Sequence, residues 1–243
     1  MKTKFKSICV IVLIAFAVVF QSCSKDDDGV VLNNENQLEN IQLNIEQYQD
    51  TIDDIEVPEA MEEFAQENTY ALRANLNVLS VRTQALLFSS VFLSIPENAD
   101  QQSVINKSNN DTNTWVWSFQ GTTLYYTVTS DGSFYNFIYD IEVEGVRRTL
   151  YEGRMAKDGT FYEVGFHAED GSFLEIIYTK TGNDISIVII AGDNRIELEY
   201  NEIDRSGSFR LFSEGSLQES YIWSTDGTGS FTDHTTEETF SWP

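Results

Sequence analysis

The chain has 243 residues, with 39 acidic against 15 basic side chains and a formal net charge of -24. An excess of negative charge on this scale repels phosphate backbones and anionic head groups, which excludes nucleic-acid binding. Two cysteines and two histidines are too few for a disulfide scaffold or for a zinc or haem site of ordinary ligand count, and no cofactor is expected.

At the N-terminus Lys2, Lys4 and Lys6 precede an apolar run from Ile8 to Phe20, the charged and greasy regions of a secretory signal. The run is shorter than the roughly 20 residues a membrane-crossing helix needs. Residues 1–22 therefore read as a leader. The end of that run, Phe20-Gln21-Ser22-Cys23, resembles the lipobox of bacterial lipoproteins. The resemblance implies cleavage before Cys23, a diacylglycerol on its thiol, and a further acyl chain such as palmitate on its new amine. Two or more acyl chains give stable membrane attachment where one gives only marginal binding.

The following Ser24-Lys25-Asp26-Asp27-Asp28 is similar to the acidic tract of Bacteroidota-type outer-membrane lipoproteins. This implies a lipid-anchored protein displayed on the cell surface. The same aspartates also suit a solvated tether over residues 23–35. With Cys9 lost in the leader and Cys23 carrying lipid, the mature chain has no disulfide and must rely on an ordinary core.

Next, Leu38, Ile41, Ile45, Tyr48, Ile52 and Ile55 recur at steps of 3, 4, 3, 4 and 3. That spacing predicts an amphipathic helix packed on its own domain. Pro58 suits the first turn of a second helix, and Glu59, Glu62 and Glu63 complement its positive end. Met61, Phe64, Leu72, Leu76, Leu79 and Leu86 continue at helical spacing to about Leu93. The stretch from Ala85 to Ile95 is apolar nearly all round, which predicts burial, and Pro96 marks an end. The helical region thus spans 36–95.

Residues 96–114 are polar and without period, and read as a linker. From Trp115 onward, short runs rich in β-branched and aromatic residues alternate with turn signals. Asp131-Gly132, Asp158-Gly159, Asp170-Gly171 and Asp226-Gly227, with Gly182-Asn183 and Gly192-Asp193 as variants, tolerate the positive φ of tight hairpins. The fold expected is α+β: N-terminal helices, then over 115–243 an antiparallel meander of about 10–12 strands curled as a barrel or half barrel. Tyr135, Phe137, Tyr139, Ile141 and Val143 share one face, while Asn136, Asp140 and Glu142 mark the other as partly wet. Ile185 to Ile190 is apolar on both faces and predicts cover on both.

Chemistry-bearing patterns are sparse. His167 and His234 each lack a second ligand at metal spacing, and the Asp-Gly pairs lack the calcium-loop pattern with its later Glu. No nucleophile elbow, phosphate-binding loop or dinucleotide fingerprint is present. Carboxylates that could pair as in glycosidases are Asp140 with Glu142, Glu163, Glu175, and Glu197 with Glu199. Glu197 and Glu199 alternate with Ile196, Leu198 and Tyr200, which places them on a solvated face.

Aromatic residues are the remaining candidates. Trp115, Trp117 and Phe119 line one face of the first strand predicted, with Tyr125, Tyr126, Tyr139, Tyr178, Tyr221 and Trp223 on later ones. Exposed, they stack on sugar rings; enclosed, they line an apolar cavity or fill a core. The helix-then-meander order is similar, as a fold analogy, to the lipoprotein-carrier and lipid-binding half barrels of the bacterial envelope. The function expected is a non-enzymatic envelope module for an apolar ligand, a glycan or a protein partner. A carbohydrate-active enzyme and a purely structural envelope protein are the alternatives.

Overall fold

The computed structural model describes residues 35–89, 99–105, 111–168 and 171–243. The leader, Cys23, most of the tether, Asp170 and much of the apolar stretch before Pro96 lie outside the described residues. Three helices come first: α1 (Glu35–Asp53), α2 (Glu59–Phe64) and α3 (Thr69–Ser89). Thirteen described strands follow: β1 (Asp100–Ile105), β2 (Asp111–Phe119), β3 (Thr122–Asp131), β4 (Phe134–Val143), β5 (Val146–Ala156), β6 (Phe161–His167), β7 (Phe173–Thr181), β8 (Asp184–Ala191), β9 (Asn194–Asn201), β10 (Gly207–Ser213), β11 (Ser216–Trp223), β12 (Gly229–Asp233) and β13 (Glu238–Trp242). They form one antiparallel sheet whose spatial order is the sequence order.

The expected α+β layout is therefore present, but the sheet does not close into a barrel. Among the described residues, β1 pairs with β2 alone and β13 with β12 alone, so two edges stay open. β1 and the start of β2 also lie within 96–114, the stretch that reads as a linker. In β2 the pattern is hidden because Thr112 and Thr114 present hydroxyls to the outer face. The Thr112 and Thr129 hydroxyls meet at 3.1 Å and those of Thr114 and Thr127 at 3.0 Å across the β2–β3 pair. A strand stabilised by such cross-strand pairs shows no hydrophobic alternation.

The turn signals fall between strands as expected, and Gly132, Gly159, Gly182, Gly192 and Gly227 all adopt positive φ. Three further hairpins use Gln120-Gly121, Glu144-Gly145 and Glu214-Gly215, with both residues of each pair at positive φ. Gln and Glu are unusual at that first position, so these turns carry no Asp-Gly signal. Asp158, Asp226 and Asp233 each accept bonds from the backbone amide and hydroxyl of the threonine two residues on. Those local bonds use the carboxylates that a calcium loop would need.

The helical stripe of α1 behaves as its spacing predicts: Ile41, Ile45, Tyr48 and Ile52 are buried, with Ile55 just beyond. The Tyr48 ring lies 4.8 Å from that of Tyr162 and 4.9 Å, edge-on, from that of Tyr178. The single second helix expected from Pro58 onward is instead broken in two. Asn68 Oδ1 accepts from the amides of Tyr70 and Ala71 at 2.9 and 3.2 Å and caps a new helix, a role asparagine fills well.

The face of α3 that meets the protein is also not the leucine face. Ala71, Ala74, Val78, Val81 and Ala85 are buried, whereas Leu72, Leu76, Leu79 and Leu87 are 42–54% exposed. Small side chains let a helix approach its neighbours closely, so the leucines turn outward. The helix layer is tied to the sheet at several points. Tyr70 stacks on Phe231 and Phe240 at 5.0 and 4.7 Å, Arg73 pairs with Glu219 at 2.9 Å, and the Tyr200 hydroxyl donates to the Glu56 carbonyl at 3.0 Å. No described helix is long and apolar enough to cross a membrane.

This inner sheet face holds the core. Tyr126, Phe137, Tyr151, Tyr162, Val164, Ile176, Tyr178, Ile187, Leu198, Phe209, Tyr221, Phe231 and the helix stripes form one buried cluster. Near its C-terminal edge a device repeats: Trp223 lies against Gly207 and Trp242 against Gly229, and each indole N–H donates at 2.8 Å to a carbonyl two residues before its glycine. Within β8, Ile185, Ile187 and Ile189 are buried inward, while Val188 and Ile190 are only half-buried on the outer face. The cover predicted for that second face is therefore partial.

Candidate binding site on the outer sheet face

The aromatic residues singled out by sequence do not build an exposed platform. Trp115, Trp117 and Phe119 share the inner face of β2. Trp115 is buried 5.9 Å from Tyr126, Trp117 is half-buried and edge-on to Tyr139, and only Phe119 is substantially exposed. Tyr126, Tyr178, Tyr221 and Trp223 are core residues, and Tyr139 stacks on Tyr151 at 4.6 Å. Burial pushes the phenols of Tyr126, Tyr151 and Tyr162 well above the usual range and those of Tyr139 and Tyr178 up to about 12. They remain neutral packing groups rather than acids or bases.

The candidate carboxylates lie on the opposite, outer face, and most of them are held by neighbours. Asp140 accepts from Arg147 Nε at 2.9 Å and the Thr149 hydroxyl at 2.8 Å. Glu142 accepts from the Tyr125 hydroxyl at 2.8 Å, and the Arg147 guanidinium sits 3.9 Å over the Tyr125 ring. Glu197 lies between Arg195 and Arg210, and Glu199 accepts from the Ser186 hydroxyl at 3.0 Å. Apart from the same-strand Arg195–Glu197 pair, these are cross-strand pairs that stabilise a sheet surface.

Glu163 and Glu175 differ, because they meet in a cleft. Asn136 and Ile138 of β4, Glu152 and Arg154 of β5, Glu163 and Gly165 of β6, and Phe173 and Glu175 of β7 line a hollow of about 290 Å³. Arg154 Nε donates to Glu163 at 2.6 Å, and the guanidinium lies 4.9 and 5.6 Å from the rings of Phe161 and Phe134. Burial, and next the charge of Glu163 beside it, hold the Glu175 carboxyl above the usual carboxylate range. His167 Nε2 lies 3.3 Å from Glu152, and its ring tilts against Phe173 at 5.0 Å.

Gly165 shapes the floor. A Cβ there would come within 2.5 Å of Phe173 Cζ, so the missing side chain lets the ring lie down across the strand. Phe173 and Ile138 are 37% and 41% exposed. Sequence reasoning found the two acids but missed Arg154, Gly165, Phe173 and Ile138. The usable signal was an isolated glycine inside a strand, which marks a close approach by another group.

The cleft thus combines an aromatic ring, an aliphatic side chain, three carboxyl groups and a guanidinium on a rigid sheet. Glu163 is engaged by Arg154, and its charge adds to burial in raising Glu175. Among the described residues, no group of three or more potential ligands gathers to hold a metal. No family model matches the chain, and no curated protein matches it.

Proposed function

We propose that this chain is a lipid-anchored envelope protein that binds a glycan, without cleaving it, in the cleft between β4 and β7. The leader-like N-terminus, Cys23 in its lipobox-like setting and the acidic tract after it support an outer-membrane address with the protein facing outward. The sheet curls as an open half barrel around the helices, which leaves its outer face free for the ligand.

One observation carries the reading: the half-exposed Phe173 ring lies across Gly165 beside Glu152, Arg154, Glu163 and Glu175. An aromatic face covers the apolar face of a sugar ring, and carboxyl and guanidinium groups bond its hydroxyls. The filled inner face argues against an apolar ligand held between helices and sheet. A hollow of about 290 Å³ is at the small end for ligand sites, roughly 300–1,000 Å³, and suits one ring of a longer chain.

The test is a glycan array probed with the purified protein, followed by titration of any hit against Phe173→Ala and Glu163→Gln. Binding that weakens about tenfold or more in both variants supports the reading. Binding unchanged in both, or hydrolysis of the bound oligosaccharide, would overturn it.

A further inference from the structure

The charges around the cleft do not balance. Arginines of the outer face are already committed to acids: Arg147 to Asp140, Arg154 to Glu163, and Arg195 and Arg210 to Glu197. Arg154 is held further by the Phe161 and Phe134 rings, 4.9 and 5.6 Å from its guanidinium. Glu152 has the exposed His167 at 3.3 Å. Among the described residues, no basic side chain pairs with Glu175.

Strand register sets these groups in a row. Glu152 of β5 pairs with Gly165 of β6, and Gly165 pairs with Glu175 of β7. Two carboxyl groups therefore flank a position that has no side chain, with their backbones about 10 Å apart at two strand spacings. The half-exposed Phe173 ring lies over that position. An aromatic face between carboxylates holds an ammonium group, which gains from the ring quadrupole and from charge-assisted hydrogen bonds together. Burial and the charge of Glu163 oppose ionisation of Glu175, and a cation beside it offsets both.

We infer that the cleft selects glycan residues carrying a free amine, with the ammonium set over Phe173 between Glu152 and Glu175. The inference rests on the glycan reading above and names the class of sugar. A sugar carboxylate or sulfate meets three carboxyl groups and a guanidinium already bound, so acidic glycans are rejected. An N-acetylated sugar keeps its stacking face but has no charge to offer, so it binds more weakly.

Calorimetric titration of the full chain near neutral pH compares a short oligomer of β-linked glucosamine with its fully N-acetylated counterpart of the same length. The amine form should bind about tenfold more tightly or better. Glu175→Gln should abolish that preference. Glu199→Gln, which removes a charge from the same sheet face outside the cleft, should keep it, and so separates the site from general attraction to a chain of net charge -24. Equal or weaker binding of the amine form, a preference that survives Glu175→Gln, or one lost equally in Glu199→Gln would overturn the inference. Equal binding of both oligomers, weakened in both by Phe173→Ala, would overturn the amine selectivity and leave the glycan site standing. Binding of neither oligomer would also overturn it, while the glycan array decides the site itself.

Discussion

Arg154 Nε donates to the Glu163 carboxylate at 2.6 Å on the outer sheet face, and Glu175 lines the same cleft beside them. Glu175 is held above its ordinary value of 4.5 by burial and then by Glu163. The folded state therefore binds more protons than the unfolded state between that value and the raised one. The resulting stability is fully present below 4.5 and is lost as pH rises through the raised value. Glu175→Gln keeps a hydrogen-bond donor and removes the titration. Its melting temperature should match the parent's near about pH 4 and exceed it near about pH 7.5. A gap of the opposite sign at neutral pH would refute the burial of a raised Glu175 carboxyl.

The turn aspartates act at the other end of the pH scale. Hydrogen bonds from Thr160, Thr228 and Thr235 hold Asp158, Asp226 and Asp233 below their ordinary value of 3.8. Their stabilisation is present above that value and is lost as pH falls through the lowered ones. Replacing all three threonines by valine should move the acid unfolding midpoint to higher pH, as followed by tryptophan fluorescence. The loss should be small, because the carboxylates are exposed and screened.

Core tyrosines should respond differently to losing their hydroxyls. The Tyr126 hydroxyl is buried without a hydrogen-bond partner among the described residues, whereas that of Tyr48 reaches the Ala85 carbonyl at 3.3 Å. Tyr126→Phe removes an unsatisfied polar group and should raise stability by about 1 kcal/mol in urea unfolding. Tyr48→Phe should lower it by about 0.5–1 kcal/mol. Equal effects in the two variants would show that the buried hydroxyl of Tyr126 is satisfied.

The tryptophan-over-glycine contacts give a sharper structural test. A Cβ at Gly229 would lie 2.2 Å from Trp242 Cζ2 and 2.4 Å from the Ile222 carbonyl oxygen. Backbone cannot yield there as a flexible side chain can. Gly229→Ala should cost about 2 kcal/mol through overpacking. Gly165→Ala, which meets only the far end of the Phe173 ring within 3 Å, should cost less but displace that ring and weaken glycan binding.

Much of the architecture was legible because it rests on strong local chemistry. The 3-4 spacing of Ile41, Ile45, Tyr48 and Ile52 and the Asp-Gly hairpins both survive in the fold. Other features were hidden for physical reasons. The hydroxyl pairing of Thr112 and Thr114 replaces hydrophobic alternation in β2. The Asn68 cap breaks a helix whose apolar spacing runs on without interruption. In α3 the small residues win the interior because close approach favours Ala71, Ala74 and Ala85 over the leucines.

The candidate site was legible only in part. Glu163 and Glu175 could be named, but their meeting depends on the β6–β7 register, which pairs Glu163 with Ile177 and Gly165 with Glu175. A shift of one residue would send one set of side chains to the other face. Trp115 looked like a ligand residue because an aromatic row reads alike whether it faces solvent or core. Its burial comes from packing in the core cluster beside Tyr126, which no local pattern encodes.

The most direct test of glycan binding on the outer face is methyl-detected NMR of the isoleucines during titration with an oligosaccharide selected on the array. Ile138 lines the cleft and Ile177 faces the same side, whereas Ile187 and Ile189 are buried in the core on the opposite face. The account predicts saturable shifts at Ile138 and Ile177 with Ile187 and Ile189 unmoved. Shifts confined to the buried isoleucines, or no shift at saturating oligosaccharide, would contradict it.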